Sequence, residues 1–104
     1  MTLEELADII AARAEADPET SWTAKLLASG PEKCAEKFGE EAVEAIIEAV
    51  KNNPEALANE AADVLFHLLV MLRARGVPLA RVMDVLEARQ GKSGLTEKAE
   101  RNTK

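Results

Sequence analysis

Apolar residues recur at helical rather than alternating intervals almost from the first residue. Leu3, Leu6, Ile9 and Ile10 follow Thr2, and Thr2 with Glu5 three positions on has the spacing of a capping box. They predict a first helix from Leu3 to about Ala16, stopped by Asp17-Pro18. Ser21-Trp22-Thr23 reads as a polar approach to a short segment, Ala24 to Ala28, of about one helical turn. Gly30-Pro31 then opens a long second helix to about Lys51, because proline is pre-organised for the first helical position. Gly39 lies inside that helix, where it costs about 1 kcal/mol relative to alanine. Its presence implies either a close helix crossing or the close approach of a ligand. Asn52-Asn53-Pro54 marks a turn with Asn53 as N-cap, and a third helix runs from there to about Arg75, before Gly76. Pro78 starts a last helix through Leu79, Val82, Met83 and Leu86, ended by Gly91.

Between Ala61 and Leu72 the only polar residues are Asp63 and His67, so the third helix is apolar around most of its circumference and must be covered on several sides. A chain of 104 residues buries only about two thirds of its unfolded surface and offers few helices for that purpose. The pattern therefore predicts an all-α fold, an antiparallel helical bundle completed by homodimerisation about a two-fold axis. Composition agrees: 47% of residues are apolar but only three are aromatic, Trp22, Phe38 and Phe66, and the strongest helix formers dominate throughout. Residues 1–91 form a single domain, and 92–104 a polar tail, mobile or draped over a partner.

Charge narrows the function. Nineteen acidic and thirteen basic side chains give a net charge of -6, which disfavours nucleic-acid backbones and anionic membranes. The start of the chain is amphipathic and acidic, without an apolar leader or a run of eighteen apolar residues, so a cytoplasmic protein is expected. Cys34, the only cysteine, excludes an intrachain disulfide and reads as a small buried apolar residue.

Candidate chemistry lies on the second and third helices. Lys33, Lys37, Glu40, Glu41 and Glu44 fall within a sector of roughly 100°, with Val43, Ile46 and Val50 on the opposite side. A solvated face with a Lys37–Glu41 pair, worth only about 0.2–0.5 kcal/mol, would explain this much. Glu60 and Asp63 change the picture. They share one face of the most apolar helix, where an unpaired buried carboxylate costs several kcal/mol or takes up a proton; burial of Asp63 would require a cation or many donors. The short turn makes the two helices antiparallel neighbours, so the two i, i+3 carboxylate pairs can converge into an all-oxygen cage suited to magnesium or manganese. His67, one turn beyond Asp63, reads as a core histidine with one satisfied nitrogen rather than a ligand.

Glu40-Glu41-x-x-Glu44, followed after fifteen residues by Glu60-x-x-Asp63, resembles the signature of the all-α NTP pyrophosphatase (MazG-like) superfamily. Three further stretches look like its histidine-biosynthesis branch: Ser21-Trp22-Thr23-Ala24-Lys25-Leu26, Gly30-Pro31-Glu32-Lys33 running into Glu36-Lys37-Phe38-Gly39-Glu40-Glu41, and Ser93-Gly94-Leu95 through Glu97-Lys98-Ala99. Trp22 stands where tyrosine or phenylalanine is more usual in that branch. The resemblance implies a magnesium-dependent enzyme that cuts phosphoribosyl-ATP between its α and β phosphates, releasing phosphoribosyl-AMP and pyrophosphate. By the same resemblance Glu41, Glu44, Glu60 and Asp63 are the metal ligands and Glu40 orients or deprotonates the attacking water. Lys25, Lys33 and Lys37 would hold phosphate oxygens, with hydrogen bonds from Ser21 and Thr23. Two rival readings stand beside it. One is a house-cleaning nucleotide pyrophosphatase with the same ligands. The other is a non-catalytic acidic interaction module, which would need no metal.

Overall fold

The computed structural model of the protein describes residues 1–91 together with Lys98, Glu100 and Arg101. Helix α1 (Leu3–Ala14) starts in the expected capping box: the Thr2 hydroxyl accepts from Glu5 N at 3.1 Å, and the Glu5 carboxylate accepts from Thr2 N at 3.1 Å. It ends before the expected Ala16. Helix α2 (Trp22–Ala28) begins earlier and is longer than the sequence suggested. Ser21 is not an approach but the N-cap, its Oγ accepting from Ala24 N at 3.2 Å, so Trp22 and Thr23 are already helical. Helices α3 (Pro31–Val50), α4 (Pro54–Ala74) and α5 (Leu79–Ala88) follow the proline and glycine signals closely. All regular structure among the described residues is helical. The expected tail falls mostly outside them, as do Ser93, Gly94, Leu95, Glu97 and Ala99; Lys98, Glu100 and Arg101 are helical and exposed.

The turn between α3 and α4 is tightly specified. Asn52 adopts φ 58°, in the left-handed region, which asparagine tolerates better than other side-chain-bearing residues. This lets Asn53 N–H donate to the Glu48 carbonyl at 3.1 Å and Asn52 N–H to the Ala49 carbonyl at 3.2 Å, the paired bonds of a Schellman ending. Asn53 Oδ1 then accepts from Ala56 N at 3.2 Å and opens α4 without a gap. The two helices leave this turn antiparallel and pair more extensively than any other two elements.

Helices α1 and α2 close over one end of that hairpin only. There Ile10, Leu26, Cys34, Leu69 and Val70 form the buried core, with Leu6, Phe66 and Leu79 packed against it. Cys34 is buried as expected; its Sγ donates to the Leu26 carbonyl at 3.4 Å, and burial pushes the thiol up, away from the reactive thiolate. The half nearest the turn is left open. Val43, Ile46, Ile47 and Val50 on α3 are exposed, Ile46 by 60% and Val50 by 81%, and Leu65 on α4 is exposed as well. The uncovered apolar surface thus lies on α3 and, through Met83, Val85 and Leu86, on α5, whereas sequence placed it on the third long helix. Gly39 is exposed too, and a Cβ there would meet nothing within 4 Å, so of its two readings the close helix crossing does not occur within this chain. A Cα radius of gyration of 15.9 Å, against about 13 Å for a compact domain of this length, fits an open hairpin.

Candidate active site

Where the packed end of the hairpin gives way to the open end, the ionic face of α3 meets Glu60 and Asp63 of α4. Oxygens of Glu41, Glu60 and Asp63 all lie within 4.8 Å of one another. Glu44, one turn from Glu41, stands in hydrogen-bonding reach of both Glu41 and Glu60. Asp63 is exposed, contrary to the burial expected from its apolar neighbours, because the helix face around it has no cover within this chain. The enclosed group is Glu60 instead, whose Oε2 is buried and has no hydrogen-bond partner.

Crowding of like charges sets the protonation of this cluster. Glu60 is pushed up to about 7, first by loss of solvent, then by the close approach of the Glu44 carboxylate and the charges of Glu44, Glu41 and Asp63. Glu41 is raised by the same causes, burial first, with His67 drawing it partly back. His67 itself is buried, and its Nδ1–H donates to the Asp63 carbonyl at 2.9 Å while its ring stands edge-on to Phe66. It is the core histidine the sequence indicated, with one nitrogen satisfied.

A pH dependence follows. Between the ordinary carboxylate value of 4.5 and about 7, the folded protein holds a proton on Glu60 that the unfolded chain releases. Stability from this group is therefore complete below 4.5 and lost as pH rises through 7. Thermal midpoints in chelator should fall across this window in the wild type and fall less in Glu60→Gln. Equal slopes for the two proteins would show that Glu60 carries no such proton.

The lysines are placed differently from one another. Lys37 Nζ lies 3.1 Å from Glu40, which raises Lys37 by its hydrogen bond and charge, and 5.9 Å from the centre of the exposed Trp22 ring. The pair is Lys37–Glu40 rather than the expected Lys37–Glu41, because Glu41 turns toward α4. Lys33 pairs with Glu36 at 3.4 Å, and Lys25 is exposed on α2. Ser21 and Thr23 line a separate cavity of about 400 Å³, together with Arg13, Thr20, Trp22 and Phe66. Thr23 is 2% exposed. Arg13 was not singled out from sequence, where a basic residue in the last turn of a helix needs no explanation beyond the helix dipole. A larger cavity of about 720 Å³, between α1 and the α4–α5 connection, contains none of the clustered carboxylates.

An all-helical protein with carboxylates paired across a single hairpin, a donor set for a hard cation, is the class this fold and site define. Residues 3–90 match the Phosphoribosyl-ATP pyrophosphohydrolase family, and the chain belongs to it. It is 72% identical over 99 residues to a phosphoribosyl-ATP pyrophosphatase of Cereibacter sphaeroides, covering 95% of this chain and 96% of the relative. Proteins of the same name from Paracoccus denitrificans and Dinoroseobacter shibae are each 69% identical over 99 residues, covering 95% of this chain and 92% and 97% of the relatives. The protein is thus an enzyme of the pyrophosphatase type, which sets aside the non-catalytic reading.

Proposed function

We propose that the protein hydrolyses phosphoribosyl-ATP between the α and β phosphates, yielding phosphoribosyl-AMP and pyrophosphate, the second step of histidine biosynthesis. The observation that carries this reading is the cluster of Glu41, Glu60 and Asp63 oxygens in a chain of this family. The donor set fits a hard divalent cation: every ligand atom is a carboxylate oxygen, and the orphaned Glu60 Oε2 lacks any other partner. Glu41, Glu44, Glu60 and Asp63 would hold magnesium, or manganese in its place. When bound, the ion supplies charge neutralisation and polarisation of the phosphate oxygens.

The chain's own residues do the rest. Glu40, exposed at the edge of the cluster, takes the proton of the water that attacks the α phosphorus as the bond to the bridging oxygen breaks. Lys37, Lys33 and Lys25 hold phosphate oxygens as point charges, and Ser21 and Thr23 donate hydrogen bonds to the same substrate. The exposed apolar face of α3 favours a homodimer, and among the described residues no helix is long and apolar enough to cross a membrane, which with a nucleotide substrate favours the cytoplasm. Incubation with phosphoribosyl-ATP, with and without magnesium, should release pyrophosphate only with the ion, and ATP or other nucleoside triphosphates should be cleaved much more slowly. Equal cleavage of ordinary nucleotides would favour a house-cleaning enzyme instead.

Lysine and carboxylate roles separate by experiment. Lys37→Ala should lower kcat/KM for phosphoribosyl-ATP by roughly tenfold, the scale of one hydrogen bond to a charged group, while magnesium binds the free protein as before or slightly better. Glu44→Gln should cut magnesium affinity directly. Calorimetric titration of both variants, paired with steady-state kinetics, makes the comparison; a kinetically silent Lys37→Ala assigns that lysine to the solvated surface with Glu40.

A further inference from the structure

We infer that the cavity formed by Arg13, Thr20, Ser21, Trp22, Thr23 and Phe66 is the subsite for the 5′-phosphate of the substrate's phosphoribosyl arm, with Arg13 as its specificity-determining residue. The inference rests on the proposed substrate. Phosphoribosyl-ATP has two anionic ends, and only the second, a phosphate monoester of nearly two negative charges, sets it apart from ATP. Recognising that end takes a cation and hydroxyl or N–H donors at some distance from the carboxylates that serve the triphosphate.

The cavity supplies these groups. At about 400 Å³ it falls within the roughly 300–1,000 Å³ typical of small-molecule sites. Arg13 is its only charged lining residue and has no carboxylate partner among the described residues, whereas Lys33 and Lys37 are each paired with a glutamate. A guanidinium presents its donors as a planar fork that matches two phosphate oxygens at once. Thr23 is only 2% exposed, and it lines the cavity. A hydroxyl at the wall of a cavity can donate its proton to a ligand there. Ser21 Oγ accepts from Ala24 N and keeps its own proton to donate, whereas the Thr20 hydroxyl is committed to the Asp17 carbonyl at 3.2 Å.

Position supports the same assignment. Phe66, in the cavity wall, lies three residues after Asp63 on α4, and the Trp22 ring reaches toward Lys37 on the ionic face, 5.9 Å away. An extended substrate reaching both places would lay its rings against Trp22 and Phe66, between the two anionic ends. The larger cavity suits this task less, since Glu4 and Asp8 on its wall outnumber its single cation, Arg73.

Phosphoribosyl-AMP and AMP differ only by the phosphoribosyl arm, so their inhibition constants against phosphoribosyl-ATP cleavage isolate the subsite. Wild-type protein should bind phosphoribosyl-AMP about 10- to 100-fold more tightly than AMP, the range expected for hydrogen bonds to a charged group. Arg13→Gln should bring the two within about threefold, and Arg13→Lys should retain part of the difference. Arg13 is exposed, so far-UV dichroism should match the wild type and the thermal midpoint should fall by at most a few degrees, the scale of one lost charge at a helix end. A ³¹P titration of metal-free protein with ribose 5-phosphate gives a readout independent of turnover: the resonance should shift with wild type and stay put with Arg13→Gln. If wild type cleaves phosphoribosyl-ATP but Arg13→Gln keeps the full preference, or ribose 5-phosphate binds both proteins alike, the subsite assignment is overturned and the proposed reaction stands. If wild type does not cleave phosphoribosyl-ATP at all, the reaction itself fails, and the subsite with it.

Discussion

An Asp63→Asn enzyme is expected to lose at least about 10²-fold of its magnesium-dependent turnover while folding normally, since a preorganised group that stabilises charge in the transition state is commonly worth that much. The side chain is exposed within the chain, so the nearly isosteric amide disturbs no core packing. What it removes is one formal charge from a group of oxygens lying within 4.8 Å of one another. The same charge contributes to the raised Glu60 and Glu41, so its loss should leave the metal-free protein equally or more stable. Steady-state rates over a magnesium series and a denaturation curve in chelator test both halves. Activity within about tenfold of wild type would remove Asp63 from the ligand set.

Ile46→Glu should have the next largest effect, on assembly. Ile46 stands 60% exposed amid Val43, Ile47 and Val50, a contiguous apolar face of the kind that marks an interaction surface. Wild-type protein at micromolar concentration should sediment at about twice the 11.2 kDa chain mass. A carboxylate at the centre of that face would have to be desolvated on association, at a cost of several kcal/mol per ion, and a two-fold axis brings two of them in. Dimerisation should weaken on the order of 10³-fold or more. A compact wild-type monomer at that concentration would sink the idea before the variant is made.

Sequence conveyed the helices more completely than the site. Thr2, Pro31, Asn53 and Gly76 each act through local backbone chemistry, and all four stand at the helix ends expected of them. Ser21 follows the same rule but was obscured by Trp22 and Thr23, whose low helix propensity made the first turn of α2 look like loop. The carboxylate motif was legible because spacing alone puts its members on facing helices. Their burial was not, because apolar neighbours along a helix do not reveal which of its faces is covered; hence Asp63 is open and Glu60 enclosed. Arg13 was invisible for a related reason. Its cavity is assembled from the end of α1, the cap of α2 and Phe66 on α4, which no spacing rule connects.

The asparagine turn carries a consequence for how this chain can vary. Surface loops ordinarily accept extra residues at little thermodynamic cost, yet the link at Asn52-Asn53 acts as a gauge that phases one helix against the other. A single residue added there would rotate α4 by about 100° and slide it by about 1.5 Å relative to α3. Glu60 and Asp63 would then swing away from Glu41 and Glu44 even though both helices persisted. Longer links remain compatible with the site only if they restore that phase, for example by a helical extension close to whole turns.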